Sequence, residues 1–476
     1  MAFRPRLLDA PLLGKTFQVS YFIIFALVLS LVVPDRFNPW PSFAAFWTGG
    51  PAGGGAVPDA TDVGDEIAAA ERALAVRPRV PANPGVAAPV PPCRRDPSTP
   101  LVFGHLTVPC LPDDPDGAHA LSRFRERLEA TRQGGGLTRI SYFADSIAAG
   151  DKITSTLRKR FQHAFGDGGP GYVALFPLRT WHYHSQVALR LSAGWEPQCP
   201  IGHPSKEKRY GFGGISIEHQ GRGNTVRLSL RGGAVADVIQ VHFLRHPEGA
   251  SFAVTADGRE LGLVDTRGTR HQEGHARLKA AAPFRSVELE SRTAGLLRLG
   301  AAFLERDAAG VVVDGVSLTG VRYENWGAFP EEHLRAEVAA RAPDLVAFQL
   351  GLNESDTGVE DDYPQVIRGL FARLKVARPL SCLVVGPTDK VEKTAGGYRT
   401  LPVIRRIARL QREAALAAGC AWFDTHAAMG GEASIVRWYE HRPRLATGDL
   451  THITVEGGEL LGDLIYHDLL LALGAR

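Results

Sequence analysis

Apolar runs alternate with helical periodicities along two stretches of this chain, and a stretch of different texture separates them. The first stretch begins at Ala118–Arg132, where Leu121, Phe124 and Leu128 recur at helical spacing. Gly134-Gly135-Gly136 breaks that pattern, and Leu137–Ala144 reads as a buried strand. Lys152–Ala164 reads as a helix, closed by the turn residues Gly166 to Gly171. The second stretch follows Asp314. It predicts strands at Leu345–Leu350, Ser381–Val385 and Ala421–Asp424, and helices at Val366–Ala377, Leu401–Ala418 and Leu460–Leu473. Strands that alternate with helices predict a parallel sheet, whose ligands bind beyond the carboxyl ends of the strands.

Between about Thr180 and Asp314 the period drops to two. Thr225–Leu230, Val238–Phe243, Ser251–Val254 and Val287–Glu290 are short alternating runs separated by turns such as Asp257-Gly258. This predicts a β-sandwich of roughly seven to nine strands inserted into an α/β chain.

The amino-terminal part reads differently again. Arg4, Arg6 and Lys15 precede the apolar run Val19–Val33, and no small-residue cleavage site follows directly. The expectation is a cytoplasmic segment over 1–18 and a signal anchor over 19–33, with the rest exported into the periplasm or cell envelope; a cleaved signal peptide is the alternative. Residues 34–100 are rich in Pro, Gly and Ala and predict a linker, with a short helix near Asp62–Val76. Of five cysteines, Cys93 and Cys110 could be joined across a Pro-rich segment. Cys382 and Cys420 lie in apolar runs and are expected as buried small hydrophobes, and an odd count leaves at least one thiol over. A net charge of +3 with no basic block argues against nucleic acid as a partner.

Several polar residues fall at the predicted strand ends. Ser146 comes two residues after the first strand, and Asn353 three after Leu350. Asp449 and His452 lie just before the last helix. A parallel sheet brings all of these to one edge. A serine hydroxyl is a weak nucleophile until a base takes its proton, and His452 is the available base. Asp449 can fix the imidazole tautomer. The oxyanion of an acyl-transfer intermediate needs preorganised donors. The Ser146 N–H at a helix start, the Asn353 amide and the exposed N–H of Gly320 can supply them.

These residues resemble the SGNH, or GDSL-like, hydrolases. Ala144-Asp145-Ser146 stands where that family has Gly-Asp-Ser, Gly320 matches its glycine block, Gly351-x-Asn353 its Gly-x-Asn block, and Asp449-x-x-His452 its final block. The resemblance implies a flavodoxin-like parallel sheet flanked by helices. It gives Ser146 as nucleophile, His452 and Asp449 as its base and orienter, and Ser146, Gly320 and Asn353 as the oxyanion hole. The run Asp145–Asp151, Phe165–Gly171, Met429-Gly430-Gly431 and Trp438 are similar to the branch containing bacterial peptidoglycan O-acetylesterases. That branch carries a carbohydrate-binding-module-like β-sandwich, of jelly-roll type, at this place. The implied organisation is hydrolase domain over 101–179 and 314–476, interrupted by the insert at 180–313. The implied activity is removal of O-acetyl groups from a cell-wall or surface polysaccharide, without metal, cofactor or obligate protein partner. The same residues would serve acetyl transfer onto a glycan, or a degenerate glycan-binding protein. Ala144 and Ile147 depart from the branch, which has Gly and His there.

Other residues have readings outside this set. His182 and His184 share a strand face near His203, which suits surface or glycan contact better than a metal. Trp181, Tyr183, Trp195 and Tyr210 fit either a sugar platform or domain packing. Asp151, Glu354 and Asp356 could shape the cleft, but are expected as caps and solvated loop residues. Gly166-Asp167-Gly168-Gly169 lacks the Lys-Ser/Thr of a phosphate loop and reads as a turn.

Overall fold

The computed structural model describes Cys93 and residues 99–111, 118–178 and 183–474. The expected cytoplasmic segment, signal anchor and short helix, with most of the linker, lie outside the described residues, as do Trp181 and His182. Among the described residues no helix is long and apolar enough to cross a membrane.

A seven-stranded sheet forms the centre. Its order is Leu101–Phe103, Leu106–Val108, Ala421–Phe423, Ser381–Val385, Leu345–Gln349, Leu137–Ala144 and Gly310–Ser317. The strands from Ala421–Phe423 to Gly310–Ser317 run parallel to their neighbours, while the Leu101–Val108 hairpin adds antiparallel at one edge. Side chains alternate between the two faces, as strand geometry requires. Ile140, Tyr142, Leu345, Ala347, Leu383 and Val385 pack against the helices Ser122–Arg132, Thr154–Phe165 and Val455–Ala472. Phe143, Val346, Phe348 and Val384 pack against Glu331–Arg341 and Tyr363–Ala377. Phe143 stacks on Phe348 with ring centroids 4.7 Å apart.

Two antiparallel sheets lie between the first and second parts of this domain in sequence. One has five strands, from Val187–Leu191 to Ser286–Ser291; the other has six and includes Ala236–Arg245, Gln272–Phe284 and Leu296–Glu305. Their inner faces meet through Val226, Leu228, Phe252 and Val254 from the first, and Ile239, Val241, Phe243 and Leu299 from the second. The eleven strands exceed the expected seven to nine, because short pieces such as Glu196–Gln198 and Gly171–Val173 carry no alternation to read.

Two expectations need correction. The parallel sheet resumes at Gly310, four residues before the expected return at 314, because Val311-Val312-Val313 is a buried strand of that sheet. Cys382 and Cys420 are buried as expected but are joined in a disulfide, since adjacent elements bring their Cα atoms within 4.7 Å. Cys93–Cys110 is also bridged, and Cys199 is the free cysteine among the described residues.

The domains are tied by a buried charge network. Arg341, fully buried, is paired with Glu305 at the end of the inserted sheet and with Asp314 in the returning strand. Glu305 also receives Arg139 from the first parallel strand and Arg277 from the insert, each at 2.7 Å. Burial opposes the Glu305 charge, but the arginines, Arg341 first, hold its carboxyl well below the usual carboxylate range.

Candidate active site

Register places the functional loops. Ala144 sits opposite Ser317 on one side and Gln349 on the other, so three parallel strands end level. Ser146, Gly320 and Asn353 follow these ends by two, three and four residues respectively. The Leu318 N–H donates to the Ala144 carbonyl at 2.9 Å, extending the pairing into the loop. Gly320 has φ +82°, a conformation that suits glycine. The Asn353 side-chain N–H donates to the Val321 carbonyl at 3.0 Å, tying the Asn353 and Gly320 loops together.

Ser146 lies in a turn rather than at a helix start. The helix begins at Thr154, eight residues later, after Gly150 and Asp151 have passed through positive φ. The turn is held by the Asp145 carboxylate, which accepts the Ile147 N–H at 3.0 Å. Asp145 is buried, which pushes its carboxyl up to about 7; the Ile147 N–H opposes this and the nearby Glu354 charge adds to it.

The far loop delivers its histidine to Ser146. Ser146 Oγ and His452 Nε2 are 2.9 Å apart. His452 Nδ1 is 2.7 Å from Asp449 Oδ2, and the other Asp449 oxygen accepts the His452 backbone N–H at 3.0 Å. With Nδ1–H donated to Asp449, the Nε2 lone pair faces the serine hydroxyl. Thr447 completes the clamp, its hydroxyl donating to Asp449 Oδ1 at 2.6 Å. Burial opposes the Asp449 charge. It is outweighed by these hydrogen bonds, the His452 N–H foremost, which hold the carboxyl well below its ordinary range.

The loop is anchored from several sides. Trp438 donates its indole N–H to the Met429 carbonyl, and its own carbonyl accepts the Leu445 N–H at 2.8 Å. Lys152, on the serine side, donates to the Ile453 carbonyl at 2.8 Å. Thr454 then caps the last helix by accepting the Gly457 N–H at 3.1 Å. Thr447 and Lys152 do not stand out in the sequence, because a threonine near an aspartate and a lysine at a helix start are common in loops.

The structure therefore brings Ser146, His452 and Asp449 into one hydrogen-bonded chain and sets Gly320 and Asn353 on neighbouring loops. Other expectations change. Asp151 is buried, ion-paired with Arg158 at 2.7 Å and hydrogen-bonded to Ser185, rather than solvated. Glu354 is also buried and accepts the Tyr323 N–H. Asp356 stays exposed, paired with Lys390. His184 turns toward Asp151 and the Pro170 carbonyl, and burial pushes its imidazole down to about 4. His203 is exposed, Trp195 and Tyr210 are buried packing residues, and Tyr183 is 55% exposed.

A cavity of about 240 Å³ lies beside the sheet edge, lined by Tyr142, Asp151, His184, Arg231 and Ser317 among others. It includes neither Ser146 nor His452. The hydrogen-bond chain, not the larger hollow, marks where proton transfer is possible.

No protein-family model matches the chain, and no curated protein does. Solved structures do. A peptidoglycan O-acetylesterase structure is similar with a TM-score of 0.63 at 23% identity, covering 74% of this chain and 96% of that one. A family two carbohydrate esterase from Clostridium thermocellum overlaps with a TM-score of 0.24 at 11% identity, covering 61% and 99%. A lipase/acylhydrolase from Enterococcus faecalis overlaps with a TM-score of 0.25 at 20% identity, covering 34% and 76%. The last two are too loose to carry an argument. The first shows a shared fold, an α/β domain with a largely parallel sheet and an inserted domain of antiparallel sheets.

Proposed function

We propose that the protein is a serine esterase that hydrolyses O-acetyl groups on a cell-wall or surface polysaccharide. The observation that carries this reading is the chain Ser146 Oγ, His452 Nε2, His452 Nδ1, Asp449 Oδ2, with contacts of 2.9 and 2.7 Å. Ser146 Oγ attacks the acetyl carbonyl carbon while His452 takes the hydroxyl proton. The oxyanion is met by N–H groups of Ser146 and Gly320 and by the Asn353 amide. Collapse of this intermediate expels the sugar oxygen, which receives the proton from His452. Water then attacks the acetyl-serine, giving up its proton to His452, and acetate leaves as Ser146 is restored.

Hydrolysis is favoured over acetyl transfer because the His452 side chain is 36% exposed, so water reaches the base directly. The glycan class is suggested by the fold shared with a peptidoglycan O-acetylesterase and by the inserted sandwich beside the site. The two disulfides suit an exported protein, in keeping with the amino-terminal anchor and a periplasmic or envelope location. Incubation with O-acetylated peptidoglycan should release acetate, and chemically de-O-acetylated material should release none. Cleavage of aryl acetates with no release from any O-acetylated polysaccharide would overturn the substrate assignment and leave the esterase assignment standing.

A further inference from the structure

A second cluster of titratable side chains sits away from Ser146, where the six-stranded sheet meets the Glu331–Arg341 helix. His242 and His275 are cross-strand partners, with ring centroids 4.4 Å apart. Glu337 on the helix reaches both. Its Oε2 is 2.6 Å from His242 Nδ1 and its Oε1 is 3.4 Å from His275 Nε2. One ligating atom from each of the three residues lies within 4.8 Å of the other two. The His242 side chain is wholly buried and Glu337 nearly so, while His275 keeps 24% of its surface exposed.

We propose that His242, His275 and Glu337 bind a divalent transition-metal ion of the zinc class, which ties the inserted domain to the hydrolase domain. Two imidazoles and one carboxylate suit zinc, whereas calcium and magnesium call for oxygen ligands throughout. Zinc–ligand bonds of about 2.0–2.1 Å put tetrahedral ligands roughly 3.3 Å apart. The 3.4 Å separation of His275 and Glu337 meets that spacing, and the 2.6 Å contact of His242 must open by a side-chain adjustment. His242 Nδ1 donates its proton to Glu337 and gives it up when the metal binds. The exposed edge of His275 gives an entry path.

His242 Nε2, and Nε2 of the adjacent His333, are buried with no hydrogen-bond partner. His333 Nδ1 is committed to Glu273 at 2.7 Å, and Arg209 is paired with Glu273 and Glu332, so neither competes for Glu337. None of these residues belongs to the Ser146–His452 chain, so the inference stands apart from the proposed activity.

The test uses the full chain, stripped with a chelator, dialysed and titrated with zinc against a colorimetric competitor. One tight equivalent should bind and raise the unfolding temperature. His275→Ala, a partly exposed position, should lose that equivalent and the thermal gain while keeping aryl-acetate hydrolysis. His271→Ala, which alters the separate stacked pair His246–His271, should keep both. Failure of the wild-type chain to bind an equivalent, or an equivalent that survives His275→Ala, overturns the proposal.

Discussion

Asp449 holds His452 twice, through the ring at 2.7 Å and through the backbone N–H at 3.0 Å. One carboxylate thus fixes both the tautomer of the imidazole and the conformation of the loop that presents it. Asp449→Asn should preserve the loop while disfavouring the Nδ1–H tautomer. Steady-state hydrolysis of an aryl acetate should show kcat reduced by about 10²–10⁴-fold with little change in KM. A change confined to KM would place Asp449 outside proton transfer.

The proposed oxyanion donors make a second expectation. Asn353→Ala should lower kcat by about 10²–10³-fold. Its lost bond to the Val321 carbonyl should cost roughly 1 kcal/mol of stability. Gly320→Ala meets little steric obstruction, its nearest new neighbour being Ile201 at 3.4 Å. The strain at φ +82° is the larger obstacle, costing about 1–2 kcal/mol and displacing the N–H. Comparing kcat with urea unfolding for both variants separates donor loss from unfolding.

Asp145 supplies a pH signature. Its folded-state carboxyl is raised to about 7 by burial, against roughly 3.9 when unfolded. A raised value means the folded state holds the proton more tightly. That contribution to stability is full below about pH 4 and is lost as pH rises through about 7. Asp145→Asn keeps an acceptor for the Ile147 N–H and removes the titration. Relative to wild type, the variant should gain stability between those limits, by on the order of a few kcal/mol at most. A pH-independent difference between the two unfolding curves would contradict this.

The charge network at the domain junction predicts the opposite slope. Glu305 has a depressed carboxyl, so its contribution is present above about pH 4.3 and is lost as pH falls toward its folded value. Glu305→Gln removes that dependence and leaves Arg341 buried with Asp314 alone. It should cost about 3–5 kcal/mol at neutral pH by urea denaturation. A cost under about 1 kcal/mol, the size of a surface pair, would show that the network is solvated.

Much of this site is legible in the sequence, because strand ends in a parallel sheet are predictable positions for chemistry. Leu137–Ala144 and Ser381–Val385 are found with their observed bounds from apolar runs bounded by turns. The inserted strand Thr225–Leu230 is found from strict alternation. Val311-Val312-Val313 is missed because a continuous apolar run beside β-rich sequence reads as more of the same domain; only pairing with Leu137–Ala144 assigns it. The Cys382–Cys420 bridge escapes notice because apolar surroundings suit a buried thiol and a disulfide equally. Asp151 and Glu354 look solvated because Ser185 and the Tyr323 N–H, which help to enclose them, come from distant parts of the chain, and Arg158 reads as one more charge on a helix.

The most direct measurement is the rate of acetate release by Ser146→Ala beside wild type, on an aryl acetate and on O-acetylated peptidoglycan, with folding checked by thermal unfolding. The 2.9 Å approach of His452 to Ser146 predicts loss of at least about 10³-fold on both substrates with the unfolding temperature retained. Release at near wild-type rate by a folded Ser146→Ala protein would contradict nucleophilic catalysis by this serine.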